Sequence, residues 1–341
     1  MTLSLPPLRL LSARWLIGVF ALAAVAAAAA AQPPAAIGPP PERGVNEWLM
    51  RMQQASRLRS YVGTFVVSSS AGSMSSARIW HAADSVQQVE RVEVLTGKPR
   101  STFRRNNEVL TFLPENRVVR AERRDSLGLF PNLLKSSDNS IAEFYAARRL
   151  GAERVAGFDA DVVQLVPKDQ LRFGYRVWSE RRTGLVVKLQ TLDGEGNVLE
   201  QAAFSELQLD SPVRPEKLAQ MMQPPAGWRV ERAQAVKTTP DAEGWGLRGD
   251  VPGFQALNCY KRPGGGSAQD GGIQWIFSDG LASVSLFVEP YDRQRHQQEG
   301  VFAAGATQTL TRRIDDWWLT VVGEVPAQTL RVFAQSLERR R

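Results

Sequence analysis

The chain has little of what most enzymes rely on. It carries one cysteine, Cys259, and two histidines, His81 and His296, in 341 residues. A single thiol excludes an internal disulfide, so a folded unit has to stand on its hydrophobic core. Two distant histidines exclude an HExxH zinc site and any His-rich metal cluster. A catalytic thiol needs a histidine partner, and with so few available Cys259 is expected to be buried packing. There is no G-x-S-x-G elbow and no G-x-x-x-x-G-K-[ST] loop. Gly264-Gly265-Gly266 lies in a loop, without the strand–turn–helix setting a phosphate cradle needs. Asp315 and Asp316 are adjacent, so on a strand they point to opposite faces; they read as a hairpin end. No catalytic residue, metal or cofactor is assigned, and a binding protein is expected rather than an enzyme.

Long apolar runs are also missing, with one exception at the N-terminus. Arg9 and Arg14 precede "WLIGVFALAAVAAAAAAQ", which ends in Ala-x-Ala at Ala29–Ala31. This is the pattern of a signal peptide, residues 1–31, cleaved near Ala31, and it predicts export to the periplasm. A Pro-rich tether follows at 32–44. The whole chain has 42 basic and 35 acidic side chains, a net charge of +7. Much of the basic charge comes in pairs, Arg104-Arg105, Arg123-Arg124, Arg148-Arg149, Arg181-Arg182 and Arg312-Arg313. An exported chain does not meet nucleic acid, so these are a solvated surface or a contact for lipid phosphate or acidic peptide.

From Val45 onward the hydropathy pattern is regular. Val45, Trp48, Leu49, Met52 and Ala55 fall on one helical face. The period then drops to two. "YVGTFVVSS", "ARIWHA", "VQQVERVEVL", "STFRR", "EVLTFL" and "RVVRAE" read as an antiparallel meander. Ser140 and Glu143 form an S-x-x-E capping box and predict a short helix over "FYAARRL". Strands resume through "VLEQAAFSELQL". The large unit, 45–210, is therefore an α+β fold: a curved sheet or open barrel with helices across one side. Pro-rich residues 211–227 read as a linker, and 228–341 as a smaller α+β unit. That unit holds a hairpin around Ser278-Asp279-Gly280 and a final helix starting at Pro326, with Leu330, Phe333, Ala334 and Leu337 buried.

One stretch breaks the rhythm. "RRDSLGLFPNLLKSSDNS", Arg123–Ser140, is apolar in the middle, yet Gly128, Pro131 and Asn132 forbid both helix and strand. Leu127, Leu129, Phe130, Leu133 and Leu134 make it an apolar mouth. Arg123 and Arg124 would form a cationic rim suited to an amphiphile with an anionic head and acyl tails. Trp317 and Trp318 are adjacent on a strand, so one faces outward and could anchor a partner.

Several of these stretches together resemble the RseB/MucB family of periplasmic regulators of the sigma-E (AlgU) envelope-stress response. They are "FSDGLASVSLFVEP", "VVGEVP", "FGYRVWSERRTGLVVKLQTLDGEGNVLEQ" and "YVGTFVV" followed by "IWHA". The resemblance implies a large domain similar to LolA and LolB, an unclosed antiparallel β-barrel with helices capping an apolar cavity. The apolar loop falls at that cavity's mouth, so Leu127, Leu129, Phe130, Leu133 and Leu134 are expected to act as a lid over it. It implies binding to the periplasmic region of a membrane anti-sigma factor (RseA/MucA-like), which is thereby shielded from the site-1 protease. Lipopolysaccharide or lipoprotein acyl chains would loosen the complex, and homo-oligomers can form. Ser278, Asp279, Phe287, Glu289, Trp318 and Glu324, in or beside the small unit's family-like stretches, are the expected partner contacts. The competing reading is a LolA-type lipid or lipoprotein carrier, which would need only the barrel.

Overall fold

The computed structural model describes residues 43–123, 130–133, 140–232, 236–262 and 271–340. The expected signal peptide and most of the expected tether lie outside the described residues. Helix α1 (Val45–Leu58) buries Val45, Trp48, Leu49, Met52 and Ala55, the face its periodicity predicts. It starts at Gly44, whose carbonyl accepts from the Trp48 N–H.

The meander follows as β1 (Tyr61–Ser69), β2 (Met74–Ala83), β3 (Gln88–Val94), β4 (Ser101–Arg105), β5 (Glu108–Leu113) and β6 (Val118–Arg123). One turn of helix, α2 (Ile141–Phe144), then leads into β7 (Tyr145–Val155), β8 (Phe158–Pro167), β9 (Gly174–Glu180), β10 (Val186–Leu192) and β11 (Val198–Leu209). The helix expected over "FYAARRL" is thus mostly strand. The Ser140 side chain makes no cap bond, the helix lasts four residues, and ten cross-strand pairs between β7 and β8 then set the backbone.

The linker region is docked against the large domain. Helix α3 (Pro215–Gln220) lays Leu218 on a small core of Ala82, Val89, Phe103, Phe112 and Val119, joined by Met222 just beyond it. Next, β12 (Arg229–Arg232) pairs with β6 in parallel, from Arg229↔Val118 to Arg232↔Ala121. The segment expected to open the small unit therefore completes the large sheet first. That sheet has twelve strands in the order β12-β6-β5-β4-β3-β2-β1-β11-β10-β9-β8-β7. It is unclosed, antiparallel but for β12, and its concave side packs on α1.

The small domain begins with β13 (Val236–Thr238), β14 (Trp245–Leu247), β15 (Gln255–Lys261) and β16 (Ile273–Ser278). It continues through β17 (Ser283–Pro290), β18 (Gly300–Ala304), β19 (Thr307–Ile314) and β20 (Trp317–Gly323) to α4 (Ala327–Ser336) and β21 (Leu337–Arg339). Seven strands form one sheet, β13-β15-β16-β17-β20-β19-β18, and β14 pairs with β21. Pro326 caps α4 one residue before its first helical position. Leu330, Phe333 and Ala334 are buried on α4, and Leu337 is buried one residue after it. Val284, Leu286, Val288, Leu319 and Val321 supply the sheet side of this second core. Cys259 is buried there too, and burial pushes its thiol up to about 11.

Candidate functional site

The large sheet builds an aromatic floor where Gly63 sits mid-strand. A Cβ on Gly63 would lie 2.6 Å from Phe204 Cε1, so only glycine lets that ring lie across β1. Phe204 meets Tyr61 and Phe65 edge-on, at 6.4 and 6.3 Å between centroids. Phe130 is set onto this floor, 4.8 Å from Phe204 and 5.5 Å from Phe65. Phe130 and Leu133 are only 7 % and 6 % exposed and belong to the main core with α1. Part of the apolar loop therefore packs inside the barrel instead of lying over it. Leu127, Leu129, Leu134 and Arg124 lie outside the described residues. Arg123, the last residue of β6, is exposed.

Helix α2, Ile141–Phe144, leads to a second construction, the joint between the domains. Arg172 is fully buried and holds several groups at once. Its Nη1 meets Asp169 at 2.9 Å, and Nη2 donates to the Pro252 carbonyl at 2.6 Å. Its guanidinium lies over Phe144 at 4.3 Å and over Phe254 at 5.1 Å. Its Nε lies 3.3 Å from Asp279 Oδ2, an ion contact aimed too far off line to be a hydrogen bond. Asp279 Oδ1 accepts from the Leu281 and Ala282 N–H groups, and Tyr145 Oη donates to Oδ2 at 3.4 Å. Burial raises the carboxyl of Asp279 above its ordinary range, against the pull of those donors and Arg172. Burial likewise lifts the Tyr145 and Tyr175 phenols well above theirs, and Asp279 adds to both.

The two domains also exchange apolar side chains here. Leu281, from the small domain's β16–β17 turn, is buried in the large core. Leu171, from the large domain, packs on the small core, and its carbonyl accepts from Thr329 Oγ1 at 2.7 Å. Ser278 and Asp279 are 3 % and 1 % exposed. They were expected to face a partner; Ser278 instead bonds within its own turn, to the Ala282 carbonyl and the Gly280 N–H, and Asp279 joins the domains. Glu324 is half-buried, and its charge acts on Tyr175 across the same joint.

Phe287, Glu289 and Trp318 share the other face of the small sheet, with Glu289 paired to Trp318 across β17 and β20. Phe287 and Glu289 are half-buried. Trp318 is the outward member of its pair, yet it is 6 % exposed. His296 stacks on it at 4.9 Å with planes 5° apart, and Tyr291 lies 6.1 Å away. The Asp292 N–H donates to His296 Nδ1 at 2.9 Å, so Nε2 carries the proton that meets Glu289 at 3.0 Å. Trp317 turns to the opposite side and meets Trp245 edge-on at 5.5 Å.

Sequence reasoning missed Phe65 and Phe204 as the floor and Tyr145, Arg172 and Tyr175 as the joint. The signal for the floor was Gly63 inside an otherwise apolar strand. Arg172, in "KDQLRFGY", gave none, since its partner is 107 residues away. Among the described residues no group of His, Cys, Asp and Glu side chains is arranged to hold a metal, and no helix is long and apolar enough to cross a membrane.

An unclosed sheet with an apolar segment in its floor, keyed to a second domain, has close counterparts. The chain is 29% identical over 301 residues to the sigma factor AlgU regulatory protein MucB of Pseudomonas aeruginosa, covering 86% of this chain and 90% of that one. It is 25% identical to the sigma-E factor regulatory protein RseB of Haemophilus influenzae, covering 89% and 94%. The solved complex of Pseudomonas aeruginosa MucA and MucB superposes with a TM-score of 0.66 at 28% identity, over 87% of this chain and 99% of that one. The MucB/RseB N-terminal domain matches residues 44–222 and the MucB/RseB C-terminal domain matches residues 239–338. The chain belongs to the MucB/RseB family.

Proposed function

We propose that this protein is a periplasmic negative regulator of a sigma-E-type envelope-stress response. It is exported, with residues 1–31 removed. It binds the periplasmic region of a membrane anti-sigma factor and shields it from site-1 proteolysis. Acyl chains of lipopolysaccharide or of a lipoprotein trigger release.

The observation that carries the lipid part is Phe130 and Leu133 on the floor of Phe65 and Phe204. This segment does for the sheet what an acyl chain would do. Burying two such side chains is worth roughly 3–6 kcal/mol. An acyl chain gains about 0.8 kcal/mol per CH₂, so about four to eight buried methylenes offset the displacement. The displaced segment leads to α2, where Phe144 stacks on Arg172, and Arg172 reaches Asp279 of the small domain. A ligand that binds only the displaced form shifts the equilibrium away from the partner-binding form.

The test is a titration of mature protein with the periplasmic segment of the anti-sigma factor from the same cell, followed by lipopolysaccharide. Binding that the lipid reverses is the expected result. Lipid binding without segment binding would make the protein a carrier. Binding to neither would sink the reading.

A further inference from the structure

Among the described residues, β18 stands apart from the other edges of the two large sheets. One end of the twelve-stranded sheet is β12, "RVER", short and charged. The other is β7, which carries Arg148, Arg149, Glu153 and Arg154 and a bulge at Arg149–Gly151. At one end of the seven-stranded sheet, β13 is three residues long and contains Lys237. Short strands, charges and bulges are the devices that stop an edge from recruiting another strand. The remaining edge, β18, is "GVFAA", with no charge, no proline and no bulge. Val301 and Phe302 are 38 % and 42 % exposed, and Ala303 and Ala304 are exposed with them.

The register shows what this edge offers. Ala304 and Thr307 flank the two-residue loop Gly305-Ala306. In such a hairpin the flanking pair exchanges backbone hydrogen bonds, and the bonded pairs then alternate. Phe302 therefore bonds to β19, while Val301 and Ala303 point their N–H and C=O groups away from the sheet. On the α4 side, Val301 ends the core row Trp275–Leu286–Val321–Leu310. On the other side, Phe302 ends the row Ile276–Ser285–Val322–Thr309. The hairpin tip is set against the large domain, where a Cβ on Gly305 would lie 2.8 Å from Ser69 Cβ and 3.3 Å from the Leu199 carbonyl. The edge starts at the domain junction.

We propose that β18 takes up an extended, uncharged, apolar segment of the protein partner as an eighth strand, by main-chain hydrogen bonds to Val301 and Ala303. This rests on the anti-sigma-factor reading above and places part of that contact. A five-residue edge spans about 17 Å. Two such edges paired about a two-fold axis bury far less than the roughly 1,200 Å² a stable dimer needs. The edge therefore suits one part of a longer grip on a polypeptide better than self-association. Because its hairpin tip bears on the large domain, the added strand would sense a shift between the domains.

The experiment uses the mature chain and the labelled periplasmic segment of the anti-sigma factor. Ala303→Pro removes an outward N–H, and Phe302→Lys puts a charge on the edge. Each is expected to weaken binding at least tenfold. Leu150→Lys on the already charged β7 edge should leave it unchanged, and lipopolysaccharide binding should be unaffected in all three. In wild-type protein, hydrogen exchange should slow at the Val301 and Ala303 amides when the segment is added, a readout that needs no variant. Wild-type binding without that protection, or with both edge variants within twofold, overturns the edge proposal and leaves the functional reading standing. No binding by the wild type overturns both. A dimer that Ala303→Pro abolishes while segment binding persists would give the edge to a second copy.

Discussion

Two buried guanidinium–carboxylate pairs of nearly equal length serve different ends. Arg104 Nε meets Glu90 at 3.1 Å inside the large sheet, on neighbouring strands directly opposite each other. Arg172 Nε meets Asp279 at 3.3 Å between domains. The first pair belongs to a row across the sheet, Tyr61–His81–Glu90–Arg104, in which His81 stacks on Tyr61 at 4.8 Å. The second lies where two cores exchange leucines. A buried pair is weak evidence of net stabilisation, because desolvation offsets attraction, but breaking one is costly. What the comparison teaches is that position decides the consequence: one pair fixes a register, the other a domain arrangement.

Removing Arg172 should have the largest effect. Arg172→Ala leaves Asp279 buried without its cation and empties the space between Phe144 and Phe254, at a cost of about 3–5 kcal/mol. Calorimetry should show the single transition splitting in two as the domains uncouple. A single unsplit transition would mean that the leucine exchange alone holds the joint. Arg104→Ala should cost about 3 kcal/mol by stranding Glu90, yet keep one transition. Splitting there would erase the distinction between the pairs. A smaller loss is expected for Tyr145→Phe, which removes one hydrogen bond to Asp279 and should cost about 1 kcal/mol in chemical denaturation.

The smallest effect concerns pH, and its sign differs between the regions. Burial holds the folded His81 below its ordinary 6.5. Its neutral ring, between the Arg59 carbonyl and Gln88, contributes stability above pH 6.5 that is lost as pH falls toward the lowered value. Asp279 is raised above its ordinary 3.8, so its contribution is present below that and lost as pH rises through the folded value. His81→Asn should flatten the fall in stability below pH 6.5. An unchanged slope would remove His81 as its source.

Much of the fold was legible because strands that bury one face write an alternation, and Val45–Ala55 writes a helical stripe. The failures have local causes. Tyr145–Leu150 has the composition of a helix, but pairing with β8 overrides it. The linker's Pro-rich residues do punctuate the chain, yet Leu218 and Met222 find a core, and nothing in "WRVER" announces a parallel partner. At the candidate site, Phe130 and Leu133 were picked out by being apolar where a loop should be polar. Their companions Phe65 and Phe204 look like ordinary strand residues. The joint was invisible because a buried arginine and a buried aspartate, distant in sequence, look like any charged surface pair.

The parallel pairing of β12 with β6 has a mechanical meaning. The only covalent route from the large domain to the small one runs along β12, and β6 is the strand whose far end opens into the apolar loop. Tension on the small domain therefore loads a four-residue ladder in shear, with bonds that share the force instead of unzipping one by one. The connection between domains is thus a short strap anchored on the strand that leads toward Phe130, and pulling on one loads the other.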